Sequence, residues 1–446
     1  MLSPSPLPSL TRLRRLFDLR PGEERPVLLG LGVFVLLFTG YFMLRPVREV
    51  MGVAGGVDNL QWLFSATFVA TLSALPMFGW LASRLDRARL LSAVFGFFVA
   101  NLLGFAAALA VNPDNLWTGR VFYVWLSVFN LMSISLAWSV LADVFSNAQA
   151  KRLFALIAGG ASLGGLLGPL SGTLLVVYLG HAGLLVLSAL LLAGSLACAL
   201  GLLRWRETKA PDAEAVEQHR QPLGGNPLAG ATAVLRTPFL LGIALFVILL
   251  ASVSTFLYFE QARIVAERFP ERITQTQVFG LLDTVVQALA IFTQLFLTGR
   301  IASKLGVGLL LTAVPLALTV GFVLLAVAPV FGVFALVMVL RRAGEYALVR
   351  PGREMLYSVV GAEQKYKAKN FIDTVVYRGG DALSGWLKRG LDLLGEHPAL
   401  AMLCGAALSL LWAWVGLRLG RARRQREALP FSPAPRDTGR GSGPTG

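Results

Sequence analysis

The residues with the most chemistry to offer are charged side chains that stand inside long apolar runs of the sequence. A charge at the centre of a bilayer-spanning segment costs about 2.5–3.5 kcal/mol on insertion scales. We therefore expect these side chains to face water or other polar protein groups instead of lipid. They are three cations, Arg341, Arg342 and Arg378, and three acids, Asp283, Glu345 and Asp381.

The spacing of these charges predicts ion pairs along helices. Arg341 precedes Glu345 by four residues, and Arg378 precedes Asp381 by three, so each pair shares one helix face. Arg342 lies three residues before Glu345 and shares its face as well. Two interpretations stay open: the pairs let polar helices cross a membrane, or they line a polar cavity.

A cavity built on these residues would favour an anion. Guanidinium groups keep their charge, and their planar fork matches the oxygens of phosphate or carboxylate. Arg341, Arg342 and Arg378 are therefore the candidate substrate-binding residues. The acids Asp283 and Asp381, together with Glu345, are candidates for charge pairing or for proton coupling.

The pattern Arg-Pro-x-Arg-Glu occurs twice, at residues 45–49 and 350–354, each time at the end of an apolar run. The proline predicts that the helix breaks there. The order of the apolar runs puts the two copies on opposite sides of a membrane, which suggests gates on either side of a cavity; interfacial charge that snorkels to water is the alternative. The charged members are Arg45, Arg48 and Glu49 in one copy, and Arg350, Arg353 and Glu354 in the other.

A glycine-rich run covers residues 159–172. Small residues four apart let helix backbones approach closely, and Pro169 predicts a bend. We interpret the run as a packed, bending helix between two moving halves, with plain helix packing as the alternative. Within it, residues 160–164 match the G-x-S-x-G pattern of hydrolases, but that site needs a strand before the serine, and here the pattern lies inside an apolar helix.

The sequence predicts no metal site, no organic cofactor and no enzyme activity. Cys198 and Cys404 stand singly in apolar runs, and no phosphate-binding loop or zinc pattern occurs. The net charge of +15 does not require a nucleic-acid partner, because lysine and arginine collect on the cytoplasmic side of membrane proteins.

Composition places the chain in a membrane. Of its 446 residues, 55% are hydrophobic and 15% are charged, and the mean hydropathy is +0.67. So few charges do not cover a soluble surface, which excludes a soluble enzyme, a disordered chain and a fibrous protein. Twelve runs are long enough to span a bilayer: 27–44, 60–82, 90–111, 117–143, 153–179, 184–203, 238–262, 276–299, 307–328, 330–349, 370–394 and 399–417.

The distribution of lysine and arginine decides the number of membrane spans, because hydropathy alone would miss the charged runs 330–349 and 370–394. With twelve spans and both termini inside, 29 lysines and arginines fall on the cytoplasmic side and 8 on the outer side, as the positive-inside rule expects. Similar segments recur in the two halves of the chain, as in duplicated transporters. The predicted organisation is a cytoplasmic tail (1–26), a first six-helix half (27–203), a cytoplasmic linker (204–237), a second six-helix half (238–417) and a basic cytoplasmic tail (418–446).

Four strings resemble bacterial members of the ATP/ADP antiporter family, within the major facilitator superfamily. They are residues 41–52, 151–154 with the following glycine-rich span, 350–357 and 365–381. The segments 79–91 and 164–172 resemble two motifs of the wider superfamily, although Ser83 stands where the first motif usually has Asp.

The resemblance implies an all-α, polytopic membrane protein of major facilitator type that works by alternating access. It implies a small anionic solute, such as ATP or ADP, as partner, exchanged or imported across a bacterial inner membrane. The nucleotide exchangers hold phosphates with lysines inside spans, whereas every lysine here lies in a loop or at a span end. Two alternatives are a proton-coupled carrier of another organic anion and a non-transporting membrane sensor or scaffold. No oligomeric state is predicted.

Overall fold

The computed structural model describes residues 19–209, 230–393 and 398–428. Most of the predicted tails, 1–26 and 418–446, and of the predicted linker, 204–237, therefore lies outside the described residues. Within the described ranges the chain forms helices and no strands. The prediction of an all-α, polytopic fold is confirmed.

The first half of the chain contains six long helices. Four of them are α1 (Glu24–Ala54), α2 (Leu60–Arg84), α3 (Arg87–Val111) and α4 (Leu116–Val144), with a short 3-10 turn, Val57–Asn59, after α1. The segment Asn147–Lys209 is helical throughout except at Gly180, whose φ of +61° and ψ of −176° turn the chain. We name its two parts α5 (147–179) and α6 (181–209).

The second half begins with a short helix, Ala231–Arg236, and continues with six long ones. They are α7 (Pro238–Arg268), α8 (from Arg272 to Gly306), α9 (307–327), α10 (Phe331–Leu356), α11 (Ala362–Leu393) and α12 (Pro398–Ala428). Gly306, at a φ of +80°, turns the chain between α8 and α9, as Gly180 does between α5 and α6. Glycine adopts a positive φ readily because it has no side chain.

Among the described residues, eight helical segments are long and apolar enough to cross a membrane, by length and composition. Two of them, Ala148–Thr208 and Arg272–Val327, each contain two of the long helices. The helices α10 and α11 are not among them, because they carry the intramembrane charges. They correspond to the runs 330–349 and 370–394. The charge bias predicted these two runs to span the membrane, although their hydropathy alone did not.

Successive helices run in opposite directions. We call the face at which α1 begins and α12 ends the terminal face, and the opposite one the distal face. At the terminal face Arg87 pairs with Asp143 at 2.5 Å, and Glu23 pairs with Arg152 at 2.8 Å. Burial raises the pKa of the Glu23 carboxyl, but hydrogen bonds from Arg152, Gln149 and the backbone of Arg20 outweigh it and hold this pKa below its usual value.

The helix break predicted at the two prolines is wrong. α1 continues through Pro46 to Ala54, and α10 continues past Pro351 to Leu356. In a bilayer, groups of neighbouring helices accept or donate the hydrogen bonds that a proline leaves unmade.

The chain before Pro351 widens into a π-helical turn, Glu345–Val349. A proline lacks the N–H that would bond the carbonyl four residues earlier, here that of Ala347. The hydroxyl of Thr298 donates to this carbonyl at 2.7 Å instead, and the side-chain amide of Gln294 donates to the backbone carbonyl of Tyr346 at 3.0 Å. Both donors belong to a second π-helical turn, Gln294–Thr298 in α8.

Each half has its own hydrophobic core. Phe34, Phe95 and Phe122 are completely buried in the first, and Phe322 and Trp412 in the second. A smaller apolar cluster joins the two halves near the distal face; its members include Val50 and Tyr123 from the first half and Phe259, Val265 and Phe279 from the second. A cavity is left between the two main cores.

Candidate substrate cavity

A polar cavity of about 630 Å³ lies between the two halves. The helices α1, α2 and α4 of the first half and α7, α10 and α11 of the second contribute its walls. The volume falls within the range of small-molecule sites, about 300–1,000 Å³. Towards the terminal face its wall includes the half-exposed side chains of Arg350, Glu354 and Lys369.

The wall carries more basic than acidic side chains. The basic ones are Arg45, Arg48, Arg341, Arg342, Arg350, Arg353, Lys369 and Arg378, and the acidic ones are Glu49, Glu345, Glu354, Asp373 and Asp381. All three predicted substrate-binding arginines are among them. The cavity therefore has a formal excess of positive charge.

Asp283 of α8 lies just behind this wall and is held by two arginines. Arg342 donates a short hydrogen bond to its Oδ1, and the Nε of Arg45 lies 3.7 Å from its Oδ2. The sequence spacing pointed to Glu345 as the partner of Arg342; the structure pairs Arg342 with Asp283 instead, because α8 brings that carboxylate alongside. The pair is almost fully buried, with side chains 6% and 5% exposed.

Glu345 also lies between two arginines. The Nη1 of Arg341 lies 3.3 Å from one carboxylate oxygen, as its four-residue spacing predicted, and Arg350 reaches the other at 3.4 Å. Arg341 further donates to the hydroxyl of Ser254 in α7 at 2.8 Å. Glu345 is thus fixed by cations on both sides.

Asp381 is held more weakly. Its ion pair with Arg378 spans 3.6 Å, which agrees with the predicted pairing but is longer than a hydrogen bond. The side chain of Arg378 is 30% exposed and that of Asp381 15%, and both line the cavity.

Both copies of the Arg-Pro-x-Arg-Glu motif line the same cavity. In the first copy Arg48 pairs with its neighbour Glu49 at 3.2 Å and lies over the ring of Tyr123 at 3.8 Å. In the second, Arg353 pairs with Asp373 at 3.0 Å and Glu354 pairs with Lys369 at 2.7 Å. The arginine and glutamate of the motif pair with each other in the first copy, whereas in the second both take partners on α11; the role of the two copies as gates stays a prediction.

Several buried guanidinium N–H groups have no hydrogen-bond partner. These are the Nε of Arg341, the Nε and Nη2 of Arg342, and the Nε of Arg353. A buried donor without an acceptor costs about 1–3 kcal/mol. These atoms have no surface open to the cavity, so a bound anion accepts from them only if the arginine side chains rearrange.

Aromatic residues that sequence reasoning missed form much of the remaining wall. Tyr346 is the most connected of them: its hydroxyl accepts a hydrogen bond from Arg45 at 3.1 Å, and the guanidinium of Arg350 lies 4.5 Å from its ring centre. Its only signal in the sequence was its position beside Glu345 in a charged span. Other aromatic wall residues are Phe38, Tyr41, Phe42, Phe64, Tyr258 and Tyr377.

Contacts between the halves close the distal side of the cavity. Asp58 pairs with Arg389 at 2.6 Å, and Asp114 with Arg272 at 3.1 Å. The side chains of Tyr123 and Tyr258 share a hydrogen bond of 2.9 Å across the interface, directly beside the cavity. In addition, the rings of Trp62 and Trp386 meet edge to face, and His181 hydrogen-bonds Thr276.

The glycine-rich helix α5 packs closely on α1 and also touches α8. A Cβ atom at Gly164 would lie 2.7 Å from the backbone oxygen of Val35, and one at Gly168 would lie 2.7 Å from that of Thr39. On the other side, a Cβ at Gly280 of α8 would lie 3.2 Å from the backbone oxygen of Pro169. The helix therefore lies at the interface between the halves; its predicted role as a hinge stays a prediction.

Among residues 19–209, 230–393 and 398–428, no three His, Cys, Asp or Glu side chains are grouped so as to hold a metal ion. Lys388, which the sequence placed at the outer end of a span, is buried there between Asp392, at 2.5 Å, and Glu260, at 3.9 Å. This cluster lies outside the cavity wall.

Comparison with known proteins gives one family and many structures of the same fold. The family profile described as Major Facilitator Superfamily matches residues 27–351. A search of curated proteins gives no match.

Three solved structures illustrate the likeness. The POT family transporter PepTSo has a TM-score of 0.63 at 13% identity, over 91% of this chain and 99% of that one. The nucleoside transporter NupG has a TM-score of 0.61 at 13% identity, over 88% and 98%. The human organic anion transporter MFSD10 (TETRAN) has a TM-score of 0.56 at 18% identity, over 89% and 100%. At these identities the likeness shows the fold alone, and it confirms the predicted fold of two six-helix halves of major facilitator type.

Proposed function

Because the chain belongs to the Major Facilitator Superfamily and is a multi-pass secondary transporter, we propose that it carries an organic anion through the arginine-lined cavity. Proteins of this superfamily are typically transporters and not enzymes. The predicted membership in the narrower ATP/ADP antiporter family is part of this proposal.

The observation that carries the proposal is the excess of basic over acidic side chains in the cavity wall, eight against five. Arg378 is the most accessible of the three predicted binding arginines, with 30% of its side chain exposed. Guanidinium groups match the oxygens of phosphate or carboxylate in geometry. A cationic solute would add to the positive charge.

Adenine nucleotides are the first candidates for this anion. The arginines of α10 and α11 would take the phosphates in place of the lysines used by the exchangers that the sequence resembles. The opposite wall, from α1, offers Phe38, Tyr41 and Phe42 for contact with a flat, uncharged base. In this proposal ATP and ADP are exchanged in opposite directions.

The same arrangement supports a carrier that works by alternating access. The cavity wall is exposed towards the terminal face, while ion pairs and aromatic contacts between the halves cover its distal side. With both termini in the cytoplasm, as the charge bias favours, this is an inward-facing state in a bacterial inner membrane. A periplasm-active reporter fused after Ala428 tests the orientation; activity of that reporter would contradict it.

A second candidate is a proton-coupled carrier of another organic anion. The specific observation in its favour is Asp381, a cavity carboxylate held by a single arginine at 3.6 Å. A sensor without transport would bind its ligand in the same cavity, so transport itself separates it from a carrier.

Transport by the purified protein in liposomes decides among these functions. We expect labelled ADP to enter liposomes loaded with ATP faster than empty ones, and faster than it enters protein-free liposomes. A panel of organic anions and one organic cation completes the experiment. Uptake of another anion driven by a pH gradient would favour the second candidate, whereas preferential uptake of the cation, or no uptake at all, would contradict an anion carrier.

A further inference from the structure

Acids in and behind the cavity wall differ in how many arginines hold them and how closely. Asp283 and Glu345 have two arginines each. Glu49, Asp373 and Asp381 have one each among the described residues, at 3.2, 3.0 and 3.6 Å, so the pair of Asp381 with Arg378 is the longest. Both members of this pair line the cavity, so a ligand can reach them.

An anion that binds Arg378 takes away the one ion-pair partner that Asp381 has among the described residues. A carboxylate that is 15% exposed and has lost its partner is costly to keep ionised, and such groups take up a proton instead. Asp283 and Glu345 would each keep a second arginine, and Glu49 and Asp373 have shorter pairs, which an anion displaces less readily.

We infer that the transported anion and Asp381 compete for Arg378, so that each anion bound at Arg378 brings one proton onto Asp381. The inference rests on the proposed function. The step is balanced: the guanidinium changes partner from carboxylate to anion, and the carboxylate takes one proton from water. Anion and proton then cross together, and release of the anion lets Arg378 pair with Asp381 again and expel the proton.

The other groups around Asp381 are compatible with this exchange. Arg48 on α1 and Arg341 on α10 add positive charge near Asp381, and Glu345 on α10 adds negative charge, but neither arginine forms an ion pair with Asp381. Two phenols, those of Tyr123 on α4 and Tyr377 on α11, also lie near Asp381.

The test is calorimetry of ADP binding to the purified protein, in buffers of different ionisation enthalpy between about pH 6 and 8, which counts protons taken up. We expect the wild type to take up close to one proton more per ADP than Asp381→Asn does. Any proton taken up by ADP itself is common to both proteins and cancels in this comparison. Asp381→Asn should also bind ADP at least as tightly at the upper pH, because nothing competes for Arg378. Glu267→Gln, an exposed carboxylate outside the cavity, should behave as the wild type.

The outcomes separate this inference from the proposed function. ADP binding with equal proton uptake in the wild type and Asp381→Asn would overturn the inference alone. No ADP binding to any of the proteins would overturn the nucleotide carrier and this inference with it. If Asp381→Asn does not fold, infrared difference spectra of the wild type with and without ADP remain: a new protonated-carboxyl band supports the inference, and its absence overturns it.

Discussion

Arg45, from the first half of the chain, donates a hydrogen bond across 3.1 Å to the hydroxyl of Tyr346, from the second half. The guanidinium of Arg350 lies on the ring of the same tyrosine, 4.5 Å from its centre. Arg45 and Arg350 are the first residues of the two motif copies. One phenol therefore joins both copies at the midpoint of the cavity and ties the two halves together.

Tyr346→Phe should weaken this link between the halves and leave the ring contact with Arg350 in place. A hydrogen bond to a charged group is worth about 1.5–3 kcal/mol, so the state with a closed distal side should lose about tenfold or more in its population relative to other states. Labelling of a cysteine placed at Ser65, under Trp386 on the distal side, measures this in a background without Cys198 and Cys404.

Tyr178→Phe is the matched control for that experiment, since Tyr178 is 84% exposed on the outside of α5. It should label as the parent protein does. Equal labelling of Tyr346→Phe and the parent would mean that the Arg45–Tyr346 contact does not hold the halves together.

Arg341 and Glu345 should be energetically coupled. Arg341→Ala leaves Glu345 with only the half-exposed Arg350, and loss of one partner of a buried ion pair costs about 3–5 kcal/mol. The double variant Arg341→Ala/Glu345→Ala should recover part of the stability, with a coupling energy of about 0.5–3 kcal/mol. Thermal unfolding of the purified variants gives both numbers; costs that simply add would show that the two residues act independently.

Arg378→Lys should impair anion binding although the charge is kept, because an ammonium group does not reproduce the two-pronged contact of guanidinium with phosphate. The loss of two hydrogen bonds to charge amounts to about 3 kcal/mol or more, close to a hundredfold in affinity. Binding of ADP and of other anions to the wild type and the variant measures it. If Arg378 served only to neutralise Asp381, lysine would do nearly as well and the affinity would stay the same.

Asp58→Asn should open the distal side slightly. It removes the ion pair with Arg389, but Asp58 is 80% exposed, and exposed pairs are worth about 0.2–1 kcal/mol. Labelling of the cysteine at position 65 should rise by a factor of about 1.5 to 5, and high salt should remove the difference. Asp86→Asn, at the terminal face, should leave the labelling unchanged.

Glu23→Gln should destabilise the protein at neutral pH and have little effect in acid. The pKa of Glu23 is lowered in the folded state, so its contribution to stability is fully present above the pKa of the unfolded chain and is lost as the pH falls through the lower folded value. The difference in Tm between the wild type and the variant should therefore shrink below about pH 4. A difference that stays constant across that range would indicate that the charge of Glu23 has no part in the contact with Arg152.

The sequence was sufficient for the helices and for most charged residues of the cavity. Apolar runs and the charge bias predicted all twelve long helices, including α10 and α11, and the i,i+4 rule predicted the contact of Arg341 with Glu345. Ion-pair partners that lie far apart in the sequence could not be predicted from local spacing. Local spacing pointed from Arg342 to Glu345, whereas packing of α8 against α10 provides Asp283.

Tyr346 escaped prediction for a related reason. A tyrosine in an apolar run has no distinctive spacing, and only the meeting of α1 with α10 shows that Arg45 reaches it. The prolines were misread because the rule that proline ends a helix assumes that the freed carbonyl has no other donor. Thr298, some fifty residues upstream of Pro351, provides that donor.

The π-helical turn Glu345–Val349 changes which side chains of α10 face the cavity after it. One extra residue in a turn rotates everything after it by about 100° relative to a regular helix. In a regular helix the stripe of Arg341 and Glu345 would continue to Gly352, but Gly352 instead packs on Leu310 and Leu311, and Arg353 faces the cavity. Deleting a single residue within this turn would make α10 a regular helix and still leave Arg353 facing the cavity, whereas the unchanged sequence wound as a regular helix would bring Gly352 there and remove one of the cavity's cations.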